Sequence, residues 1–326
     1  MNTLVTGGTG FVGSHVARAL VDAGHTVRVL HRTTSKLNAL DGLDYEPAIG
    51  DILDETALEA ACDGIDWVFH VAAVSDYWRA DKERLFAANV EGTRRVLLAA
   101  KSAGVKRVVF TSSGSAVGPR EDGIPASESD PFTLSPAQFP YAYSKHMAEG
   151  VVLEAVAGGL NVVIVNPVIV LGPGDLNQVS GSMVTQIKQL GPLVPLPTGG
   201  TGITDVRDVA RWHIVAAEQG RTGDRYILGT ENVKYAALFH MIADEVGARA
   251  PFLRMPNLFN PMVAGAISLL RGMGFSLPVD AGQTRLSTRD IFFDYSKTHD
   301  ELGPPQIDMR QSIRDTYAWY KEHGIV

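Results

Sequence analysis

Cysteine is nearly absent: Cys62 stands alone among 326 residues. No disulfide can close within the chain, a reducing compartment is the natural setting, and Cys62 reads as an inert core thiol. Positive charge is also in deficit, with 29 Lys and Arg against 36 Asp and Glu and a net charge of -7. That balance supplies no footprint for nucleic acid or for an anionic membrane surface. The basic pairs Arg94-Arg95 and Lys106-Arg107 read as solvated faces. No apolar run approaches the roughly 20 residues that span a bilayer, and the most apolar late stretch, Pro261 to Leu270, reads as a buried helix. No basic segment followed by an apolar stretch opens the chain, so the expected location is cytoplasmic. The nine histidines show no metal-ligand spacing, and repeats and low-complexity tracts are missing.

What is present is glycine, 33 residues of it, within a chain that is 45% apolar. Glycine at that level fits many tight strand-to-helix turns. Short apolar runs predict strands at Thr3-Val5, Thr26-Leu30, Tyr45-Ile49, Trp67-Val71, Arg107-Thr111 and Asn161-Val165. Between them Val12, Val16, Ala19, Leu20 and Ala23 recur at helical spacing, and Leu85, Ala88, Val96, Ala99 and Ala100 do so less strictly. This alternation implies an α/β fold, a parallel sheet with helices on both faces. The rhythm fails after about residue 166, where Gly172-Pro173-Gly174 and Gly191 to Gly202 precede a helix from Asp208 and a strand at Tyr226-Leu228. The expected organisation is a first unit over 1–166, rejoined by 203–230. Residues 167–202 and 231–326 then form a smaller lobe over the sheet's carboxyl edge.

Thr6-Gly7-Gly8-Thr9-Gly10-Phe11-Val12-Gly13 lies between the first strand and the first helix. Three glycines at this spacing let a pyrophosphate approach backbone N–H groups at the helix start, which side chains would prevent. The bare spacing is weak evidence, and its position in a β-α-β unit makes it strong. It predicts a doubly wound sheet of Rossmann type that binds a dinucleotide, with Gly7, Thr9, Gly10, Phe11, Val12 and Gly13 at the cofactor. The second strand ends at His31-Arg32, with no acid for a ribose 2′-hydroxyl. Arg32, with Lys36 nearby, suits a 2′-phosphate, which favours NADP(H) over NAD(H).

Tyr141 and Lys145 are one helical turn apart in a segment with helical character through Val156, and Pro140 suits its first position. A phenol near pKa 10 exchanges protons poorly at neutral pH, and a neighbouring ammonium is expected to lower it. The pair thus offers a general acid for carbonyl reduction or a base for the reverse. Tyr317 and Lys321 repeat the spacing near the end of the chain, where nothing completes a site, and read as structural. Thr111-Ser112-Ser113 follows the fifth strand at the ligand-binding edge. Either serine could orient a substrate oxygen; Ser113 is preferred, with Ser112 as a turn or cofactor contact.

The glycine loop, Gly50-Asp51, Val71-Ala72-Ala73, Thr111-Ser112-Ser113, Tyr141-Ala142-Tyr143-Ser144-Lys145 and Asn166-Pro167 occur in one order. Together they resemble the extended short-chain dehydrogenases/reductases, closest to the dihydroflavonol-reductase-like branch. Phe293-Asp294-Tyr295-Ser296-Lys297 and Glu301-Leu302-Gly303 extend the resemblance nearly to the end. It implies that Asp51, with Ile52 beside it, contacts the adenine, and that Val71, Ala72 and Ala73 run along the cofactor. It also implies that Lys145 holds the nicotinamide ribose and that Pro167 and Val168 border the nicotinamide. Ser113 would position a substrate carbonyl, NADPH deliver hydride to its carbon, and Tyr141 protonate its oxygen.

The expected activity is reduction of a small-molecule aldehyde or ketone. Tyr77 and Trp78, after the fourth strand, are candidates for the substrate pocket, which the second lobe shapes. Rival readings are a nucleotide-sugar epimerase or dehydratase with bound NAD, a hydroxysteroid-type dehydrogenase, and a non-enzymatic NADP sensor. The resemblance allows a monomer or a homodimer.

Overall fold

The computed structural model describes residues 1–75, 81–120, 122–253, 284 and 286–326. Tyr77, Trp78 and the stretch Pro261 to Leu270 lie outside the described residues.

Seven strands form one parallel sheet: β1 (Asn2–Thr6), β2 (Thr26–His31), β3 (Glu46–Ile49), β4 (Trp67–His70), β5 (Arg107–Thr111), β6 (Val162–Pro167) and Arg225–Leu228. The last is the ninth strand in chain order. In space the order is β3-β2-β1-β4-β5-β6 with Arg225–Leu228 at the far edge. The chain reverses its winding between β1 and β4, and such a switch point leaves a crevice at the carboxyl ends of the strands. Every residue of β6, Val-Val-Ile-Val-Asn-Pro, is buried, as a parallel strand covered on both faces requires.

Two apolar clusters fill the two faces. On one, α1 (Phe11–Asp22) turns Val16, Ala17 and Leu20 onto Val5, Val29 and Phe69, beside Val209, Trp212 and Ala216 of the helix Val206–Gln219. On the other, α2 (Glu55–Cys62), the helix Gly92–Ser102 and the helix Pro140–Ala157 press Leu58, Val96, Ala100, Ala148 and Val152 onto Leu4, Val68, Phe110 and Ile164. Cys62 is buried there, and burial pushes its thiol up to about 11, which leaves it unreactive. Arg107 departs from the expected solvated face. It is half-buried, and its guanidinium holds Asn161 at 2.8 Å and the Gly220 carbonyl at 2.9 Å.

The second layer is a small sheet. Its centre is Gly200–Asp205, paired in parallel with Ile169–Leu171 and Asp290–Ile291 and antiparallel with Glu231–Lys234. Ser182–Leu190, Tyr235–Val246 and Met309–Glu322 cover it with Ile187, Leu238, Ile242 and Ile313. A boundary at 203 would cut the central strand of this sheet, so the chain returns to the large sheet only from Val206, through a helix capped by Asp205. Among the described residues no helix is long and apolar enough to cross a membrane.

Candidate active site

A cleft of about 710 Å³ opens at the carboxyl ends of β1, β2, β4, β5 and β6. The glycine loop forms its floor. Gly7 has φ +75°, and a Cβ there would stand 2.6 Å from the Ala72 nitrogen. A Cβ on Gly13 would stand 2.2 Å from the Gly7 oxygen. The loop therefore tolerates only glycine where it packs against itself and β4. At the start of α1 no side chain caps the helix and no acid occupies the first turn. Its N–H groups and positive dipole end are left for an anion. These features fit a dinucleotide pyrophosphate.

Thr9, Gly10, Phe11, Val12, Asp51, Ile52, Val71, Ala72, Ala73, Thr111, Ser112, Ser113, Tyr141, Lys145, Pro167 and Val168 all line the same cleft. Arg32 lines its outer end, more than half exposed, with its guanidinium 4.0 Å from the Asp51 carboxylate. At that exposure and distance the pair contributes little, and the cation stays available. Asp51 also accepts from the Leu53 N–H at 3.0 Å, closing the turn after β3. Lys36 does not line the cleft: it is exposed in the loop beyond β2, and Ser35, whose hydroxyl accepts from the Arg32 N–H, lies in the wall instead.

The helix Pro140–Ala157 begins with proline at its first turn and carries Tyr141 and Lys145. The Tyr141 hydroxyl hydrogen-bonds to the Ser113 side chain. The Ser113 oxygen accepts from the Ser115 N–H at 3.2 Å and the Ser115 hydroxyl at 2.9 Å, which leaves its own proton for the phenol oxygen. Lys145 is 2% exposed. Its Nζ donates to the Thr111 carbonyl at 2.7 Å and lies 4.9 Å from the Phe110 ring centre. Burial lowers Lys145 to about 8, against the opposing charge of Glu149.

The phenol departs from the sequence expectation. Burial pushes Tyr141 up, and the opposing influence is the Ser113 hydrogen bond rather than the ammonium. Desolvation disfavours the charged phenolate more than a lysine committed to a backbone carbonyl can offset.

Two buried histidines brace this end of the sheet. His70 sits between the hydroxyls of Thr6 and Thr93 at 2.7 and 3.0 Å, and burial lowers it to about 3. His213 lies between the Thr111 hydroxyl at 2.8 Å and the Val209 carbonyl at 2.7 Å. A carbonyl can only accept, so the Nδ1 of His213 carries the proton and Nε2 receives the threonine's.

Sequence reasoning missed part of the wall. Asp175, Asn177, Val179 and Ser180 enter from the segment after Ile169–Leu171, and Arg84 from the helix Lys82–Phe86. Asp175 is buried, and burial pushes its carboxyl up. It accepts from the N–H groups of Val179, Ser180 and Gly181, shaping a loop that no strand or helix pattern could have disclosed.

Residues 3–229 match the NAD dependent epimerase/dehydratase family. The chain belongs to that family, the extended short-chain dehydrogenases/reductases. Over 331 residues it is 36% identical to a putative dihydroflavonol 4-reductase of Synechocystis, covering 99% of this chain and 95% of that one. Its fold matches the crystal structure of gox2253 with TM-score 0.87 and 38% identity, over 99% and 98% of the two chains. It also matches PA4631, a nucleoside-diphosphate-sugar epimerase from Pseudomonas aeruginosa, with TM-score 0.83 and 27% identity over 99% and 98%. As a member of this family the chain is an NAD(P)-dependent oxidoreductase acting on alcohol or carbonyl groups.

Proposed function

We propose that this extended short-chain dehydrogenase is an NADPH-dependent reductase of an aldehyde or ketone. The observation that carries the reading is the hydrogen bond between Tyr141 and Ser113 in a cleft that also holds the Lys145 ammonium. With its pKa raised, the phenol keeps its proton at neutral pH, which suits a donor to a developing alkoxide. Bound in the cleft, NADPH would supply hydride to the carbonyl carbon. Ser113 orients the carbonyl oxygen by hydrogen bonding. Tyr141 gives its proton to that oxygen, and Lys145 places positive charge beside the phenolate left behind. Hydride and proton together convert the carbonyl to an alcohol.

Arg32 supports NADPH over NADH, because an exposed guanidinium at the end of β2 can meet a 2′-phosphate. The smaller sheet reaches the reacting end through Val168 and Phe293, both within 3.3 Å of where a Gly114 Cβ would stand. Substrate selection belongs to this second layer, formed among the described residues by 168–205, 231–253 and 286–326, with the large sheet and Val206–Leu228 as the cofactor unit.

The likeness to PA4631 favours a second reading, a nucleotide-sugar epimerase that keeps its NAD. NADPH and NADH oxidation with a panel of aldehydes, ketones and flavonoid-like ketones separates the two. Reduction of at least one carbonyl with NADPH preferred is expected. Tightly retained NAD with no NADPH consumed by any member would decide for the epimerase.

A further inference from the structure

Glu149 stands two helical turns beyond Tyr141 and one beyond Lys145, 4% exposed, among the buried residues Lys145, Ala148, Val151 and Val152 of that helix. A carboxylate there forfeits its hydration and needs several partners to compensate. It has them. Oε1 accepts from the Ser112 hydroxyl at 2.5 Å and from Asn166 Nδ2 at 2.6 Å. Oε2 pairs with Arg225 at 3.2 Å, from the edge strand of the large sheet. The same Asn166 nitrogen donates to the Ser113 carbonyl at 3.0 Å. One carboxylate thus ties the helix of Tyr141 and Lys145 to the ends of β5 and β6, at the level where Ser113 meets the phenol.

We propose that Glu149 is a positioning residue of the reacting centre, setting the Ser113 hydroxyl against Tyr141 through Ser112 and Asn166 while its charge faces Lys145 along the helix. This rests on the reading of Tyr141, Ser113 and Lys145 given above.

Glu149's charge works against the burial that lowers Lys145. Among the described residues the other titratable and charged groups around the two are Tyr141 on the same helix, His70 on β4, His213 on the Thr111 hydroxyl, Arg225 with its guanidinium on the Glu128 and Asp130 carbonyls, and Glu128, whose carboxylate accepts from the Ile227 N–H. His70 is neutral above pH 4, and the charge that opposes burial at Lys145 is that of Glu149.

The experiment compares wild type, Glu149→Gln, Glu149→Asp and Tyr141→Phe. The Lys145 titration is followed by NMR on protein with 13C-labelled lysine side chains, assigned with Lys145→Met, and kcat and KM are measured with NADPH and a carbonyl from the panel. Glu149→Gln is expected to lower the Lys145 midpoint and cut kcat tenfold or more, with both KM values within about threefold. Glu149→Asp, which keeps the charge, holds the midpoint near wild type and recovers part of kcat. A folded Glu149→Gln with wild-type midpoint and wild-type kcat overturns the proposal. Should that variant not fold, Ser112→Ala removes one contact and leaves the ion pair; it is expected to lower kcat severalfold, and unchanged kcat overturns the role. Full turnover in Tyr141→Phe would overturn the functional reading instead, and the NMR titration would still decide for or against Glu149.

Discussion

Tyr141 with Lys145 and Tyr317 with Lys321 share a spacing of four residues and a helix each, yet the first pair lines the glycine-loop cleft and the second does not. Lys145 is buried against a backbone carbonyl and an aromatic face, in the same cleft as a phenol bonded to a serine. Lys321 is exposed, with its Nζ 5.8 Å from the Tyr317 ring centre, while Lys188 approaches the same ring at 5.3 Å. Tyr317 packs on the second layer's apolar cluster beside Ile313 and Tyr320. Spacing sets which side chains share a face. What meets that face decides whether they do chemistry.

The sharpest way to break the comparison is to remove both hydroxyls in turn. Tyr141→Phe is expected to lose roughly a hundred- to ten-thousand-fold in kcat, the range for a general acid, with NADPH binding retained. Tyr317→Phe should stay within about twofold. Comparable losses in the two, measured by steady-state kinetics, would erase the distinction.

Burial of the first pair's lysine has a consequence in pH. Burial lowers Lys145 to about 8 from its ordinary 10.5. Below pH 8 the ammonium is charged in both folded and unfolded chains, and its full desolvation weighs against the fold. Between 8 and 10.5 the folded chain sheds the proton first, the unfolded chain binds more, and stability from this group rises with pH. Lys145→Met should therefore be favoured over wild type most strongly below pH 8, by roughly 3 kcal/mol at most. That advantage should fade toward pH 10.5. Urea midpoints of wild type and Lys145→Met across that range measure the effect.

A smaller effect tests the structural role of the second pair. Tyr317→Ala should cost about 1–3 kcal/mol of stability by leaving a gap against Ile313, while kcat stays near wild type below the melting range. Smallest of all, Arg32→Ser should raise the KM for NADPH roughly tenfold, about 1.4 kcal/mol, and leave that for NADH almost unmoved. Equal changes for both coenzymes would remove Arg32 from cofactor selection.

Much of the first layer was legible in the chain. The predicted runs marked all seven strands of the large sheet to within a residue or two, most clearly the central ones, because a strand buried on both faces has to be largely apolar; β3, at the edge, is mostly exposed. The glycine loop was legible for a similar reason: backbone packed within 3 Å of backbone leaves room for no other residue. Arg32 and Lys36 were read together from their nearness in sequence, but the turn after β2 brings Ser35 into the wall beside Arg32 and leaves Lys36 in solvent. Glu149 had a signal that went unread, an acid eight residues past Tyr141 on an apolar face. Asp175 and Ser180 had none, because loops carry no periodicity.

By itself the sequence determined the order of strands and helices, the dinucleotide loop and the helix face shared by Tyr141 and Lys145, since these follow from local sterics and a repeating pattern. Only the tertiary structure decided the protonation of the site. Charge states answer to what surrounds a group through space, and here burial pushes the phenol up and the ammonium down while an acid from the next turn opposes the second shift.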